Sequence, residues 1–466
     1  MKQTLYLPDL LYAGIAHEGT GLLVNEDGNV AALATPQSAP EAEVVRLAGK
    51  ALFPGLANAH SHAFQRLFRA RAEGRTALGK EAGADTFWTW REQMYRAAAF
   101  VAPESMYDIA RAVYLEMLAS GITVVGEFHY LHNAPDGTPY ADPNELAHTL
   151  IRAAQSVGIR IVLLRSAYLR AGFERPPHPG QRRFYETEDA YLRNLDALLT
   201  ATTGQSLVSV GTAPHSIRAV PLDTIKRIAA FAAERQLPLH IHLSEQPAEN
   251  EASAAEYGLT PLTLLAKNGI LTSRTTLIHA IHMTEAEFEQ TGRAGTHICS
   301  CPTTERNLGD GIFPADRAQR IGIPICYGTD SQAQIDILED ARQNEYHLRL
   351  LHRQRGILDN SGNIGPYLLH CATAWGYSAL GLNGGLLHPT LGHSADFFTA
   401  DLNDLALLGA DKQSLAAQAV FALGRAAIRD VAVAGKLVLA DGQHPHAEEI
   451  HTRYQAVQRQ FTQEAQ

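Results

Sequence analysis

The chain has 466 residues, 45% of them hydrophobic and 19% charged, with a formal net charge of -10. That composition supports a large buried core, at a length whose prior is about three domains. The acidic balance excludes nucleic acid and an anionic membrane as main partners, because no cationic excess is present to hold phosphates.

The opening MKQTLYLPDLLYAG has one Lys and no sustained apolar stretch before Pro8 and Asp9, so no signal peptide is expected. No run of 18 apolar residues follows, so no membrane span is expected either. Leu22–Val24, the turn Asn25-Glu26-Asp27-Gly28 and Val30–Leu33 read as a hairpin. The far end has the same texture. Ala395–Thr399, Val431–Ala434 and Leu437–Leu439 are strand-like. Neither end can bury a core alone. The two together predict a small discontinuous β-sandwich domain from residues 1–53 and 386–450, followed by a C-terminal helix over 451–466.

Between them, residues 54–385 alternate apolar runs with amphipathic stretches such as MYDIARAVYLEMLASG and LDTIKRIAAFAAERQ. Eight strands are predicted: Leu52–Ala59, Thr123–Phe128, Ile159–Ser166, Leu207–Thr212, Leu237–Leu243, Thr275–Ala280, Thr296–Ser300 and Ile323–Gly328. Alternation of that kind is the signature of an α/β fold, a (β/α)8 TIM-like barrel. Long βα loops are expected at 68–90 and 131–142.

Barrel chemistry collects where strands run out. Strand 1 ends in His60-Ser61-His62, strand 2 in Glu127-Phe128-His129-Tyr130, strand 4 in Pro214-His215-Ser216. Strand 5 carries His240-Ile241-His242-Leu243-Ser244-Glu245, strand 6 ends at His279, and strand 8 at Asp330. Positions i and i+2 of a strand face the same way, so His60 and His62 can share a metal. A lone HxH is weak evidence. His242, His279 and Asp330 at three further strand ends make it strong, and imidazole with carboxylate suits Zn2+ with a position left for water.

The order HxH, His, His, Asp at strands 1, 5, 6 and 8 resembles the amidohydrolase superfamily, as does the split terminal domain. Two-metal members bridge their ions with a strand 4 lysine. SLVSVGTAPHS (206–216) has none, which favours one ion per subunit, as does the glutamate three positions after His242, a deaminase-branch feature. HSHAFQR (60–66), FWTWRE (87–92), EFHY (127–130), PHSIRAV (214–220), HIHLSEQ (240–246) and NLGDGIFP (307–314) together are similar to the formimidoylglutamate deiminase family. That resemblance implies hydrolysis of N-formimino-L-glutamate to N-formyl-L-glutamate and ammonia, in a cytoplasmic homodimer.

Carried onto this chain, the resemblance makes His60, His62, His242 and Asp330 the metal ligands, and Glu245 the proton shuttle. His279 or Asp330 is the base; the sequence does not choose between them. A dicarboxylate substrate calls for cations, and Arg91 and Arg218 are the candidates, with Gln65, Tyr130 and His215 completing recognition. Arg91, placed in a loop, could instead stack on Trp88 or Trp90, Tyr130 could be core, and Gln65 could cap the helix after strand 1. His129, His132 and Glu127 read as structural. Gly309 and Gly311 suit a tight loop over the site. Cys299 and Cys301 read as inert buried thiols, and four cysteines in all point to a reducing compartment. Two other functions fit the pattern: hydrolysis of a purine, pyrimidine or triazine ring, and a non-catalytic scaffold on the same barrel.

Overall fold

The structure, a computed structural model, describes residues 3–73, 87–173, 175, 178–360, 362–388 and 392–464. Eight parallel strands form one sheet: β1 (Leu56–Ser61), β2 (Ile122–His129), β3 (Arg160–Ala167), β4 (Val208–Pro214), β5 (Leu239–Leu243), β6 (Thr275–His279), β7 (His297–Ser300) and β8 (Ile325–Tyr327). They pair in chain order. Helices such as Pro103–Ala119, Glu145–Val157 and Leu222–Glu234 lie between consecutive strands in the chain. Every residue of β1, β2, β5, β6, β7 and β8 is buried. That two-sided burial is why these strands read as continuous apolar runs.

The sheet curls until β8 meets β1, giving a nearly closed barrel. At the seam, Ser61 bridges Asp330, the His62 amide donates to the Asp330 carbonyl at 3.1 Å, and the Asp330 amide donates to that of His60 at 3.0 Å. Asn58 reaches Thr329 across the same seam, with Nδ2 2.7 Å from Oγ1. Such an approach requires Gly328, because a Cβ there would lie 2.7 Å from the His60 Cβ.

The terminal strands make a separate mixed sheet, in the order Lys436–Leu439, Ile428–Val433, Phe397–Asp401, Glu43–Pro54, Thr4–Tyr12, Gly21–Val24, Val30–Ala34, with Ala16–Glu18 beside Thr4–Tyr12. The hairpin at 21–34 turns through Asp27-Gly28 as expected. Hydrogen bonds join all eight strands into one continuous sheet.

One predicted strand splits. Leu52–Pro54 belongs to the terminal sheet and Leu56 onward to the barrel, with the change at Gly55. Its amide donates to Asp396 in the terminal part, and a Cβ there would sit 2.1 Å from Thr123 Oγ1 on β2. The starts expected at Leu237 and Ile323 move to Leu239 and Ile325, past Pro238 and Pro324, which have no N–H for a ladder. Helix Ala447–Glu464 packs on Pro103–Ala119 through the bidentate Arg111–Glu449 pair, at 2.9 and 3.0 Å.

Candidate metal centre and substrate cavity

Seam and strand ends bring four ligand atoms together. His60, His62, His242 and Asp330 each offer one, and the four lie within 4.8 Å of one another. Asp330 Oδ1 is 3.3 Å from the Nε2 atoms of both His60 and His62, and His242 Nε2 is 3.1 Å from His60 Nε2. Ser61, the residue between the paired histidines, faces the other way and donates to Glu127 Oε2 at 2.7 Å. Glu127 also accepts from the Ala63 amide at 2.7 Å, so it fixes the turn that follows β1, and burial pushes it up to about 7.

The ligand set fits a cation on chemical grounds. His62 Nδ1 faces the Phe128 carbonyl at 2.9 Å, and His242 Nδ1 faces that of His215 at 3.0 Å. Each makes that bond only with its proton on Nδ1, which leaves Nε2 as a lone pair turned to Asp330 and His60. Burial holds His60 down to about 3 and His242 well below its ordinary value, so both are neutral imidazoles. Burial opposes the charge on Asp330, but the neighbouring histidines outweigh it and hold the carboxyl well below its ordinary value.

His279 stands beside this cluster. Its Nε2 is 3.7 Å from Glu245 Oε1 and 3.8 Å from Asp330 Oδ2, and its Nδ1 is 3.3 Å from Glu305 Oε1. Burial opposes its charge, but Glu245, Glu305 and Asp330 overcome this and raise it to about 10. A cation in the adjacent cluster pulls in the opposite direction. Burial also raises Glu245. The backbone is unusual here: Ser244, His279, Ala280, Asp330 and Gln332 have φ of 51°, 68°, 51°, 47° and 61°. Left-handed non-glycine residues clustered at strand ends are a common mark of functional sites.

A cavity opens over the cluster, and Gln65, Arg91, Tyr130, His215, Arg218, Glu245 and His279 all line it. His215 stacks on His242, ring centroids 4.7 Å apart. Gln65 does not cap a helix; its amide donates to Tyr130 Oη at 2.9 Å. Tyr130 is core and cavity wall at once. Arg91 is not in a loop. It belongs to helix Phe87–Phe100, with its guanidinium 5.6 Å from the Tyr95 ring centroid. The rest of the predicted 68–90 loop lies partly outside the described residues, since 74–86 are not among them. Burial and the neighbouring Arg218 both lower Arg91. Burial opposes Arg218 as well, but Tyr168, Glu249 and Glu245 raise it.

His129 and His132 are buried outside the cluster, His132 on the Ser166 carbonyl at 2.8 Å. All four cysteines are free and buried. Gly309 ends helix Pro302–Leu308 in the left-handed region, and Leu308 reaches the cavity.

Several wall residues were not foreseen. Trp90, Met94 and Tyr95 come from helix Phe87–Phe100, and Tyr168 and Phe184 from the segment after β3. Buried Gln181 holds two of these, donating to Tyr95 Oη at 2.8 Å and Tyr168 Oη at 2.7 Å, while accepting from Tyr185 Oη at 2.8 Å. The run RPPHPGQRR (175–183) signals a loop, and nothing in it shows where the loop folds back. Glu305 was also missed.

The family model for the amidohydrolase family matches residues 51–438. A formimidoylglutamate deiminase from Pseudomonas aeruginosa is 41% identical over 424 residues, covering 90% of this chain and 91% of that protein. Among solved structures, an amidohydrolase from Brucella melitensis superposes with a TM-score of 0.90 at 34% identity, over 98% of this chain and 100% of that one. A zinc-bound adenosine deaminase from Xanthomonas campestris shares the fold, with a TM-score of 0.83 at 22% identity over 99% of each chain.

Proposed function

The chain belongs to the amidohydrolase family, and from that premise we propose that it hydrolyses N-formimino-L-glutamate to N-formyl-L-glutamate and ammonia, the chemistry that the P. aeruginosa relative's name describes. One observation carries the choice of substrate: two guanidiniums, Arg91 and Arg218, line the same cavity as the metal-competent cluster. Each guanidinium can fork onto a carboxylate through two parallel hydrogen bonds. A dicarboxylate offers one carboxylate to each and offsets the repulsion that Arg218 exerts on Arg91. An uncharged purine, pyrimidine or triazine offers neither. The aromatic walls, Tyr95 and Tyr168 among them, then flank the aliphatic part of the substrate.

His60, His62, His242 and Asp330 would hold one divalent ion, whose chemistry there would be to lower the pKa of a water and so provide a nucleophilic oxygen at neutral pH. Zinc is our assignment, supported by the imidazole–carboxylate donor set and by the zinc in the X. campestris neighbour. Addition of water oxygen to the formimino carbon makes it tetrahedral, and ammonia leaves only once its nitrogen is protonated. Glu245 is a buried carboxyl with a raised pKa, suited to hold that proton and hand it over. His279, between Glu245 and Asp330, orients the attacking water and takes its proton, with Asp330 as the alternative acceptor. Arg91, Arg218, His215, Tyr130 and Gln65 hold the substrate. A cytoplasmic location and a homodimeric state complete the proposal, the first supported by four free cysteines.

The test is ammonia release by the metal-loaded protein from N-formimino-L-glutamate, set against guanine, cytosine and adenosine. Selective turnover of the linear amidine is expected. Selective turnover of a ring contradicts the assignment.

A further inference from the structure

We propose that Glu305 is a positioning residue that fixes the tautomer and ring orientation of His279; this rests on the functional assignment above. Glu305 sits in helix Pro302–Leu308 after β7, only 2% exposed. Its Oε1 lies 3.3 Å from His279 Nδ1, the nitrogen turned away from the cavity. The opposite nitrogen, Nε2, faces Glu245 and Asp330. A carboxylate on Nδ1 keeps a proton there and aims the ring, so Nε2 presents to the reacting groups.

The carboxylate is itself held rigidly. Oε1 also accepts from the Cys301 amide at 2.7 Å, and Oε2 accepts from Ser300 Oγ at 3.1 Å. His279, Cys301 and Glu305 do cluster closely enough to suggest a second metal site. Both Glu305 oxygens are already engaged by donors from the chain, and burial keeps the Cys301 thiol well above its ordinary pKa. The geometry therefore points to an orienting carboxylate, not to a ligand. His279 is the last residue of its strand and has a left-handed backbone, φ 68°, so no further strand residue follows to hold its ring.

The Cys301 amide makes the proposal sharp. It is a donor only, and it faces the same oxygen that faces His279. In Glu305→Gln the amide oxygen is pinned toward Cys301 and His279, and the new NH2 falls on Ser300 Oγ, which can accept. The substitution removes the charge and keeps the acceptor; Glu305→Leu removes both.

The experiment compares the metal-loaded wild type, Glu305→Gln and Glu305→Leu by kcat, KM, metal content and long-range 1H–15N imidazole spectra, with His279 signals identified by their loss in His279→Asn. Expected are kcat within about 10-fold of wild type for Gln, and a fall of at least about 10²-fold for Leu, with KM and metal content unchanged in both. The spectra should show a proton on His279 Nδ1 in wild type and Gln, and its loss or redistribution in Leu. A wild-type Nδ1 without a proton, a Leu variant with normal kcat, or a Gln variant as impaired as Leu overturns the proposal. Should Leu fail to fold, the wild-type spectrum and the Gln variant decide alone. Should the wild type release no ammonia, the substrate assignment fails, and the spectra still judge Glu305.

Discussion

The barrel mouth and the terminal sheet bury polar groups in opposite ways. In the terminal sheet, Lys50 donates to Asp430 and Asp441, both at 2.8 Å, and Asp430 also accepts from Thr399 Oγ1 at 2.6 Å. Each charge there closes on a local partner. At the mouth, ligand atoms of His60, His62, His242 and Asp330 converge on one space, beside the cavity that Arg91 and Arg218 line. Local closure holds a fold together; convergence of like functions on one space needs something brought from outside. Substitutions should therefore separate, with mouth changes altering turnover at constant stability and terminal-sheet changes doing the reverse.

Glu245→Gln is expected to break the mouth hardest without emptying it. Turnover should fall by at least ~10²-fold while metal content stays that of wild type; steady-state kinetics with metal analysis checks both. Near-normal activity would show that the proton travels by another route. Arg218→Met should act on binding. A lost charge-assisted pair is worth about 1.5–3 kcal/mol, so KM should rise by about 10- to 100-fold with kcat little changed, and a fall in kcat alone would contradict a binding role.

The smallest effect belongs to the other region. Lys50→Met should lower unfolding free energy by about 2 kcal/mol and leave kcat and KM alone, measured by denaturant melts beside the assay. The same group gives a pH test. Burial lowers the Lys50 pKa, but Asp430 and Asp441 overcome that and raise it above 10.5. Its contribution is thus complete below that pH and is lost as pH rises through the higher folded value. A wild-type minus Lys50→Met stability difference that did not shrink at high pH would count against the pairing.

Much of the barrel was legible because buried parallel strands are short apolar runs with little else in them, and the chemistry sits at their ends. HSH after LANA and HIHLSE need only strand parity to be read. What was not legible depends on tertiary contact. Gly55 looks like the middle of a strand until Asp396 and Thr123 are seen on either side of it. Gln181 lies in a Pro-rich loop, and only the fold shows that it ties Tyr95 to Tyr168. Arg91 was legible and misread: FWTWREQMYRAAAF has apolar residues at Trp90, Met94, Ala97 and Ala98, which is helical spacing. Glu305 carries no sequence signal of its own, since its partner His279 is 26 positions away.

The most direct measurement is metal content of the purified, metal-loaded protein and of His242→Ala, read together with ammonia release from N-formimino-L-glutamate. The wild type should retain one divalent ion per chain and turn the substrate over. His242→Ala should lose both while its melting temperature without metal stays close to that of wild type. Full turnover by a protein from which every trace of metal has been stripped, or undiminished ion binding in His242→Ala, would contradict a cation centre at the barrel seam.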